Sequence, residues 1–247
     1  MDYINDRVMQ SLIRDAESFQ TTHPYPHQTI EGFLRPEAFE RLCKDAPSQE
    51  IMTKENRKRA YGQKTHERLS LQVLPRTENQ ISTSWRQFIA ELRSPEYLQF
   101  LKTMLGVKPM TPVVLSMHWH YAPAGASVSP HTDARRKLGS HIFYLNTPED
   151  WDESWGGQTL VLDDGGRFKR HSAPDFDQFK EVAASRVLGN SSFLFAQTAR
   201  SWHAVRELRC PPDRLRKVFI VVANRLSFQV LSRRLRRKDA DGFPLYK

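Results

Sequence analysis

Ser129-Pro130-His131-Thr132-Asp133 contains the only His-x-Asp of the chain. In a strand or its exit loop, residues two apart share a face, so this imidazole and carboxylate can reach one ion. With a second imidazole they complete the two-His, one-carboxylate set that holds non-haem Fe(II) and leaves three octahedral positions open. A His-x-Asp alone is common at surfaces, so the chemistry needs a third ligand from elsewhere. Trp202-His203-Ala204-Val205 offers one, 70 residues beyond Asp133 and just after the apolar run Ser192 to Ala196. The plainer reading of His203 is a hydrogen-bonded core residue. Arg216 adds a fourth element. It leads into Lys217-Val218-Phe219-Ile220-Val221-Val222, a run apolar enough to be buried on both faces. A cation entering such a strand is costly unless an anion meets it, and a dicarboxylate gripped by the guanidinium fork would do so. Arg214 is the alternative anchor. The plain reading is that Arg216 ends a loop already carrying Arg206, Arg209 and Arg214.

These groups need strands to hold them. After Pro109 the chain turns into short β-rich segments: Val113 to Tyr121, His141 to Asn146, Gln158 to Leu162, Ser192 to Ala196, His203 to Val205 and Lys217 to Ala223. Antiparallel strands without long intervening helices point to a barrel or jelly roll. The stretch from Asp163 to Ser185 is long for a connection and reads as a lid or as surface decoration. The N-terminal part is helical in pattern. Val8, Leu12, Ala16 and Phe19 recur at helical steps; Pro36 opens a helix carrying Phe39, Leu42 and Cys43. Trp85, Phe88, Ile89 and Leu92 continue the pattern, and Ser94-Pro95-Glu96 opens another helix that Gly106 closes. Between them residues 48–80, with Lys54, Arg57, Lys58, Arg59 and Lys64, read as a long loop or irregular hairpin.

The 247 residues are 39% apolar, which suffices for one core and one domain. The expected division is a helix-rich supporting part over 1–109, a β core over 110–225 and a basic segment over 226–247. No apolar stretch approaches the roughly 20 residues that span a bilayer, and Met1 to Gln10 lack a secretory h-region. Cys43 and Cys210, far apart, support neither a disulfide framework nor a thiolate zinc site. A soluble, cytoplasmic protein is expected. Its net charge of +9 favours acidic partners: nucleic acid, an anionic membrane surface or acidic small molecules.

Taken in order, His131, Asp133, His203 and Arg216 resemble the 2-oxoglutarate/Fe(II) oxygenase superfamily, and its prolyl-hydroxylase-like branch in particular. Three segments between them extend the resemblance. Tyr121 in Tyr121-Ala122-Pro123-Ala124-Gly125 is similar to the family's Tyr-x-Pro-Gly segment. Tyr144 in Tyr144-Leu145-Asn146 is similar to its Tyr-Leu-Asn strand, and Gly156-Gly157-Gln158-Thr159-Leu160 to its Gly-Gly-x-Leu strand. The likeness covers about residues 110–225, with a loop before Arg216 that is slightly long for the family.

The resemblance implies a mainly β, α+β protein: a double-stranded β-helix (jelly-roll) core with an N-terminal helical layer. It implies Fe(II) on His131, Asp133 and His203, and 2-oxoglutarate held by Arg216 and Tyr144, with Tyr121 as a further cofactor-side residue. O₂ is the other co-substrate and ascorbate an accessory reductant. The implied reaction hydroxylates an unactivated C–H and releases succinate and CO₂. Asp133 argues against the halogenase variant, in which a small residue opens a chloride site. The substrate classes are an amino acid, a peptidyl side chain, or a saccharide such as a lipid-linked acidic sugar.

Other signals have plainer alternatives. His118-Trp119-His120 is a His-x-His without a following cupin-like Glu, so His120 reads as a substrate contact or a core residue. Arg135 and Lys137 follow the His-x-Asp closely and are candidate contacts for an acidic substrate; the alternative is a solvated turn. Phe228, Leu231 and Leu235 recur at helical spacing opposite Arg233, Arg234, Arg236, Arg237 and Lys238. That pattern suits a core-docked helix with a basic outer face, or peripheral contact with an anionic membrane. Two rival functions remain. Nucleic-acid demethylases of the superfamily carry two Arg six residues apart, whereas Val222 and Ile220 stand at that offset from Arg216 and Arg214. A non-catalytic basic β-barrel binding module is the other.

Overall fold

The computed structural model describes residues 1–58, 65–170 and 172–236. Arg59, Lys64, Arg237 and Lys238, named above for their charge, lie outside the described residues. The helices of the first part are α1 (Asp6–Arg14), α2 (Ala16–Gln20), α3 (Pro36–Lys44), α4 (Thr83–Leu92) and α5 (Pro95–Met104). Their starts follow from local chemistry. Asn5, Ser82 and Ser94 each accept a backbone N–H of the first turn, and Pro stands at the start of α3 and α5. The continuous stripe expected from Val8 to Phe19 breaks at Asp15 into two helices.

The strands are β1 (His27–Glu31), β2 (Thr53–Lys58), β3 (Thr65–Gln72), β4 (Val113–Ala122), β5 (Val128–His131), β6 (Lys137–Tyr144), β7 (Leu160–Asp163), β8 (Lys180–Ala184), β9 (Ser191–Ala196), β10 (Trp202–Val205) and β11 (Arg216–Arg225). They pair antiparallel in the order β1-β9-β6-β11-β4-β3-β5-β10-β7-β8, with β2 on the free side of β3. One half of this order faces the other across a shared apolar cluster. Ile142, Tyr144, Phe193, Phe195 and Val218 come from one side, Val161 and Val205 from the other. The result is the jelly-roll core with a helical layer against it.

Strand alternation sorts side chains between the two faces. On β4, Met117, Trp119 and Tyr121 join the helix-side core, as Phe143 of β6 and Phe219 and Val221 of β11 do. There Trp85 meets Trp119 and Phe219 with ring centroids 4.9 and 4.8 Å apart. Each such buried ring stabilises the wall by roughly 1.5–3 kcal/mol. The helices thus brace the sheet whose inner face carries the site.

Three parts differ from expectation. β1, an edge partner of β9, has no clear alternation and was not anticipated. The stretch from Asp163 to Ser185 is docked rather than loose: β8 pairs with β7, and Phe168, Phe176 and Phe179 pack on the Trp202 cluster. The C-terminal helix α6 (Phe228–Leu235) forms but docks by another residue. Val230 is fully buried against Val114, while Phe228 and Leu235 are 87% and 79% exposed. The expected stripe Phe228, Leu231, Leu235 therefore faces outward, because the helix meets the sheet through the single face that Val230 occupies. No helix among the described residues is long and apolar enough to cross a membrane.

Candidate active site

His131 ends β5 and His203 lies on β10, and the two stand opposite one another in the antiparallel register. Their ring centroids are 4.2 Å apart. Each imidazole is oriented by its own strand. His131 Nδ1 lies 2.9 Å from Ser129 O, and His203 Nδ1 lies 2.9 Å from Ser201 O. A carbonyl only accepts, so Nδ1 carries the proton in both rings and the lone pair is on Nε2. Asp133 lies just beyond β5. Its main-chain carbonyl accepts Gln197 Nε2 at 2.9 Å, and its Oδ1 accepts Lys137 Nζ at 2.8 Å. One donor atom from each of His131, Asp133 and His203 falls within 4.8 Å of the others.

The electrostatics suit a cation. Burial holds His131 down to about 3, with neighbouring His203 adding to the effect. Burial likewise lowers His203, against the opposing pull of Asp133. For Asp133 burial pushes the carboxyl up, but Lys137, His203 and His131 outweigh it and hold the carboxyl below its usual range. At neutral pH the cluster is therefore two neutral imidazoles and one carboxylate. That is the protonation state a divalent ion requires of its ligands. The carbonyl partners on Nδ1 are the outer contacts that fix a ligating imidazole. The donor set fits Fe(II), with nitrogen and oxygen ligands on one face.

Arg216 and Tyr144 come together as a second group. Arg216 opens β11 and is 7% exposed; its guanidinium carbon lies 5.5 Å from the centre of the Tyr144 ring. Its Nε donates to Gly157 O at 2.5 Å. Burial lowers the Arg216 guanidinium and Tyr144 partly offsets it. The Tyr144 hydroxyl lies 2.8 Å from Thr159 Oγ1 and 2.5 Å from Ser185 Oγ. Arg214 is 40% exposed and pairs with Asp213 at 3.5 Å, so Arg216 is the buried member of the two candidate anchors. Asn146, third in the Tyr-Leu-Asn segment, accepts Lys217 N at 2.7 Å and donates to Leu215 O, which pins the start of β11. Phe195 packs on the His203 ring at 4.7 Å and shares an apolar cluster with Tyr144, linking the two groups.

The remaining candidates divide. Lys137 is at the cluster, paired with Asp133, and Arg135 is exposed on the lining of an adjoining pocket. His120 is buried: its Nδ1 accepts Arg68 Nη1 at 2.9 Å, and Arg68 pairs with Glu55 at 2.9 Å. Its ring stacks on His118 at 4.3 Å. Tyr121 is not brought to the site. It shares the parity of Met117 and Trp119, so its ring joins the helix-side core and its hydroxyl donates to Pro47 O at 3.1 Å. Its expected cofactor role is corrected accordingly. Thr159 and Ser185, which hold the Tyr144 hydroxyl, were missed. No local pattern marks Ser185, which reaches Tyr144 from 41 residues away.

Residues 116–222 match the family model described as the 2OG-Fe(II) oxygenase superfamily. No curated protein matches the chain in sequence. Among solved structures, a prolyl-4-hydroxylase from Pseudomonas putida is similar at 16% identity and a TM-score of 0.57, over 89% of this chain and 100% of that one. A prolyl hydroxylase from Trichoplax adhaerens, bound to a hypoxia-inducible-factor peptide fragment, is similar at 11% identity and a TM-score of 0.56. The match covers 89% of this chain and 90% of that one. The α-ketoglutarate-dependent epimerase SnoN from nogalamycin biosynthesis follows at 14% identity and a TM-score of 0.52, over 90% and 87%. At these identities the structural likenesses establish the fold.

Proposed function

We propose that this chain, whose residues 116–222 match the family model of the 2OG-Fe(II) oxygenase superfamily and whose core has that jelly-roll fold, is an enzyme that uses Fe(II), 2-oxoglutarate and O₂ to hydroxylate an unactivated C–H of a small-molecule or peptidyl substrate. In this reading residues 1–109 support a catalytic core over 110–225. His131, Asp133 and His203 hold the iron, and Arg216 with Tyr144 holds the far carboxylate of 2-oxoglutarate. The single observation that carries it is the convergence of two neutral imidazoles and an ionised carboxylate, linked through Phe195 and Tyr144 to a buried guanidinium that meets no carboxylate among the described residues. When bound, iron with O₂ and 2-oxoglutarate supplies the oxidant; C–H becomes C–OH as 2-oxoglutarate leaves as succinate and CO₂.

The chain's own residues do the rest. Ser129 O and Ser201 O fix the imidazoles, and Lys137 holds one oxygen of Asp133. Arg216 offers an incoming carboxylate a charge-assisted, two-pronged contact in a site dry enough for it to count. Phe195, Val161 and Val218 share one buried apolar cluster with Tyr144, which keeps water from that side of the site.

Anaerobic titration of the protein with Fe(II) and then 2-oxoglutarate tests the reading through the visible absorption of the chelate. The band should vanish in His131→Ala and demand far more 2-oxoglutarate in Arg216→Ala, while Arg214→Ala behaves as wild type. Iron binding without any such band in the wild-type protein would overturn the co-substrate assignment.

A further inference from the structure

Beside the metal cluster lies a pocket of about 680 Å³, lined by Arg135, Lys137, Lys169, Arg170 and Arg200 together with Phe168 and Gln197. Among the described residues no acidic side chain lines it. The nearest acid of the loop, Asp164, is 1% exposed and is spent within its own turn, where it accepts Gly166 N and Phe168 N at 3.1 and 2.8 Å. Like charges packed this closely repel, and a concave wall of one sign concentrates a field that draws counter-charge inward. Burial, and then neighbouring Arg135, hold the Arg170 guanidinium below its usual range, with Asp133 at the metal cluster partly offsetting them.

The pocket is built, not a chance gathering of surface lysines. Arg170 Nη2 donates to Thr198 O at 2.9 Å, and Gln197 donates to both Thr198 O and Asp133 O. Phe168 anchors the facing loop on Phe179 and Trp202, with ring centroids 5.5 and 6.3 Å away. Trp202 immediately precedes His203, so this wall and the metal cluster share a strand. Gly166, at φ +80°, takes the left-handed turn that brings this loop against the Arg200 guanidinium. Lys137 belongs to both places. It lines the pocket while its ammonium holds Asp133 Oδ1 at 2.8 Å.

We propose that this pocket is an anion subsite for the substrate: a phosphate ester or carboxylate of the molecule to be oxidised docks here, one side chain from Asp133. The proposal rests on the reading of His131, Asp133 and His203 as the iron site. Guanidinium forks suit the planar or tetrahedral oxygens of either group. The volume is that of a small-ligand pocket. The substrate class is thus narrowed from any small molecule or peptide to one bearing such a group near its reacting carbon.

The test uses the full chain loaded with Fe(II) and 2-oxoglutarate under nitrogen, so that Arg216 is already occupied. Phenyl phosphate, benzoate and benzyl alcohol are titrated in turn by calorimetry, with the chelate absorption recorded alongside. Either anion should bind more tightly than benzyl alcohol and shift the absorption band. The phosphate arm outbinding benzoate points to a phosphate ester, and the reverse to a carboxylate. Arg200→Glu and Lys169→Glu, both at exposed positions, should each weaken the favoured anion about tenfold, the scale of one lost charge-assisted contact. Arg14→Glu makes the same charge change on distant α1 and should leave it unchanged. Equal binding of the three probes, no binding, or equal loss in Arg14→Glu would overturn the subsite. If the chelate band forms normally and these failures appear, only the subsite falls. If no band forms, the iron reading fails, and an anion that still binds is then no substrate handle.

Discussion

Gly157 gives the sharpest test of the 2-oxoglutarate side of the site. It sits at φ +99°, and a Cβ added there would lie 3.1 Å from Arg216 Cδ, 3.3 Å from Arg216 Nε and 3.4 Å from Trp151. Its carbonyl also accepts Arg216 Nε at 2.5 Å. Gly157→Ala therefore acts twice. An L-residue in that backbone region costs about 1–3 kcal/mol, which for a chain of this size lowers Tm by roughly 2–4 °C per kcal/mol. The new methyl also presses on the stem of Arg216 and turns its fork. Losing one charge-assisted contact, about 1.5–3 kcal/mol, should raise the dissociation constant for 2-oxoglutarate by roughly ten- to a hundredfold. Iron binding, carried by β5 and β10, should not change. The assay is the anaerobic Fe(II) and 2-oxoglutarate titration beside a thermal melt of the same sample. A lowered Tm with unchanged 2-oxoglutarate affinity would refute Arg216 as the anchor. An unchanged Tm would refute the backbone argument.

Three further outcomes follow from the same structure. His141 is fully buried, with Tyr97 Oη and Ser192 Oγ against its two nitrogens, and burial holds it down to about 3. The unfolded chain takes up a proton near 6.5 that the folded one refuses, so its contribution is complete above that pH. It is lost as pH falls toward about 3, at up to about 1.4 kcal/mol per unit. Urea midpoints across that window should fall less steeply in His141→Gln, and equal slopes would refute the assignment. Val230→Ala should cost about 1–3 kcal/mol and Leu235→Ser under about 0.5 in denaturant melts; the opposite ranking would show that α6 docks by its other face. Chelating the metal from loaded protein should lower Tm while the far-UV dichroism stays that of the folded chain, and collapse of that signal would show that the strands need the ion.

The cluster was legible because its residues are chemically rare and lie on elements of simple period. His-x-Asp survives any uncertainty about strand limits, and a His framed by apolar neighbours after Ser192 to Ala196 had to come from an adjacent strand. The choice between Arg216 and Arg214 was not legible, since both precede the same run; burial separates them. Tyr121 shows a readable signal passed over. Met117, Trp119 and Tyr121 share one parity of β4 and His118 and His120 the other, so the large apolar face already pointed Tyr121 toward the helices. β1 lacked any signal, because His27–Glu31 is an edge strand with one buried residue. The Phe228, Leu231, Leu235 stripe has helical spacing, but spacing alone does not say which face meets a sheet; Val114 makes that choice through Val230. The basic pocket draws on Arg135, Lys169 and Arg200, three separate connections that only the folded chain brings to one wall.

The direct opposition of His131 and His203 across one antiparallel pair has a consequence for how the site tolerates change. Their separation is set by the spacing between neighbouring strands, roughly 4.5–5.5 Å, and not by the 71 residues of chain that intervene. Those residues include Asp152–Trp155, the turn at Gly165 and the whole run to β8. Lengthening any of them alters the closure entropy only slowly, by about 0.6 kcal/mol per doubling of a loop. The two imidazoles would keep their distance. The connections are thereby released to diverge and remodel the pocket mouth, while the ligand geometry is inherited from the sheet itself.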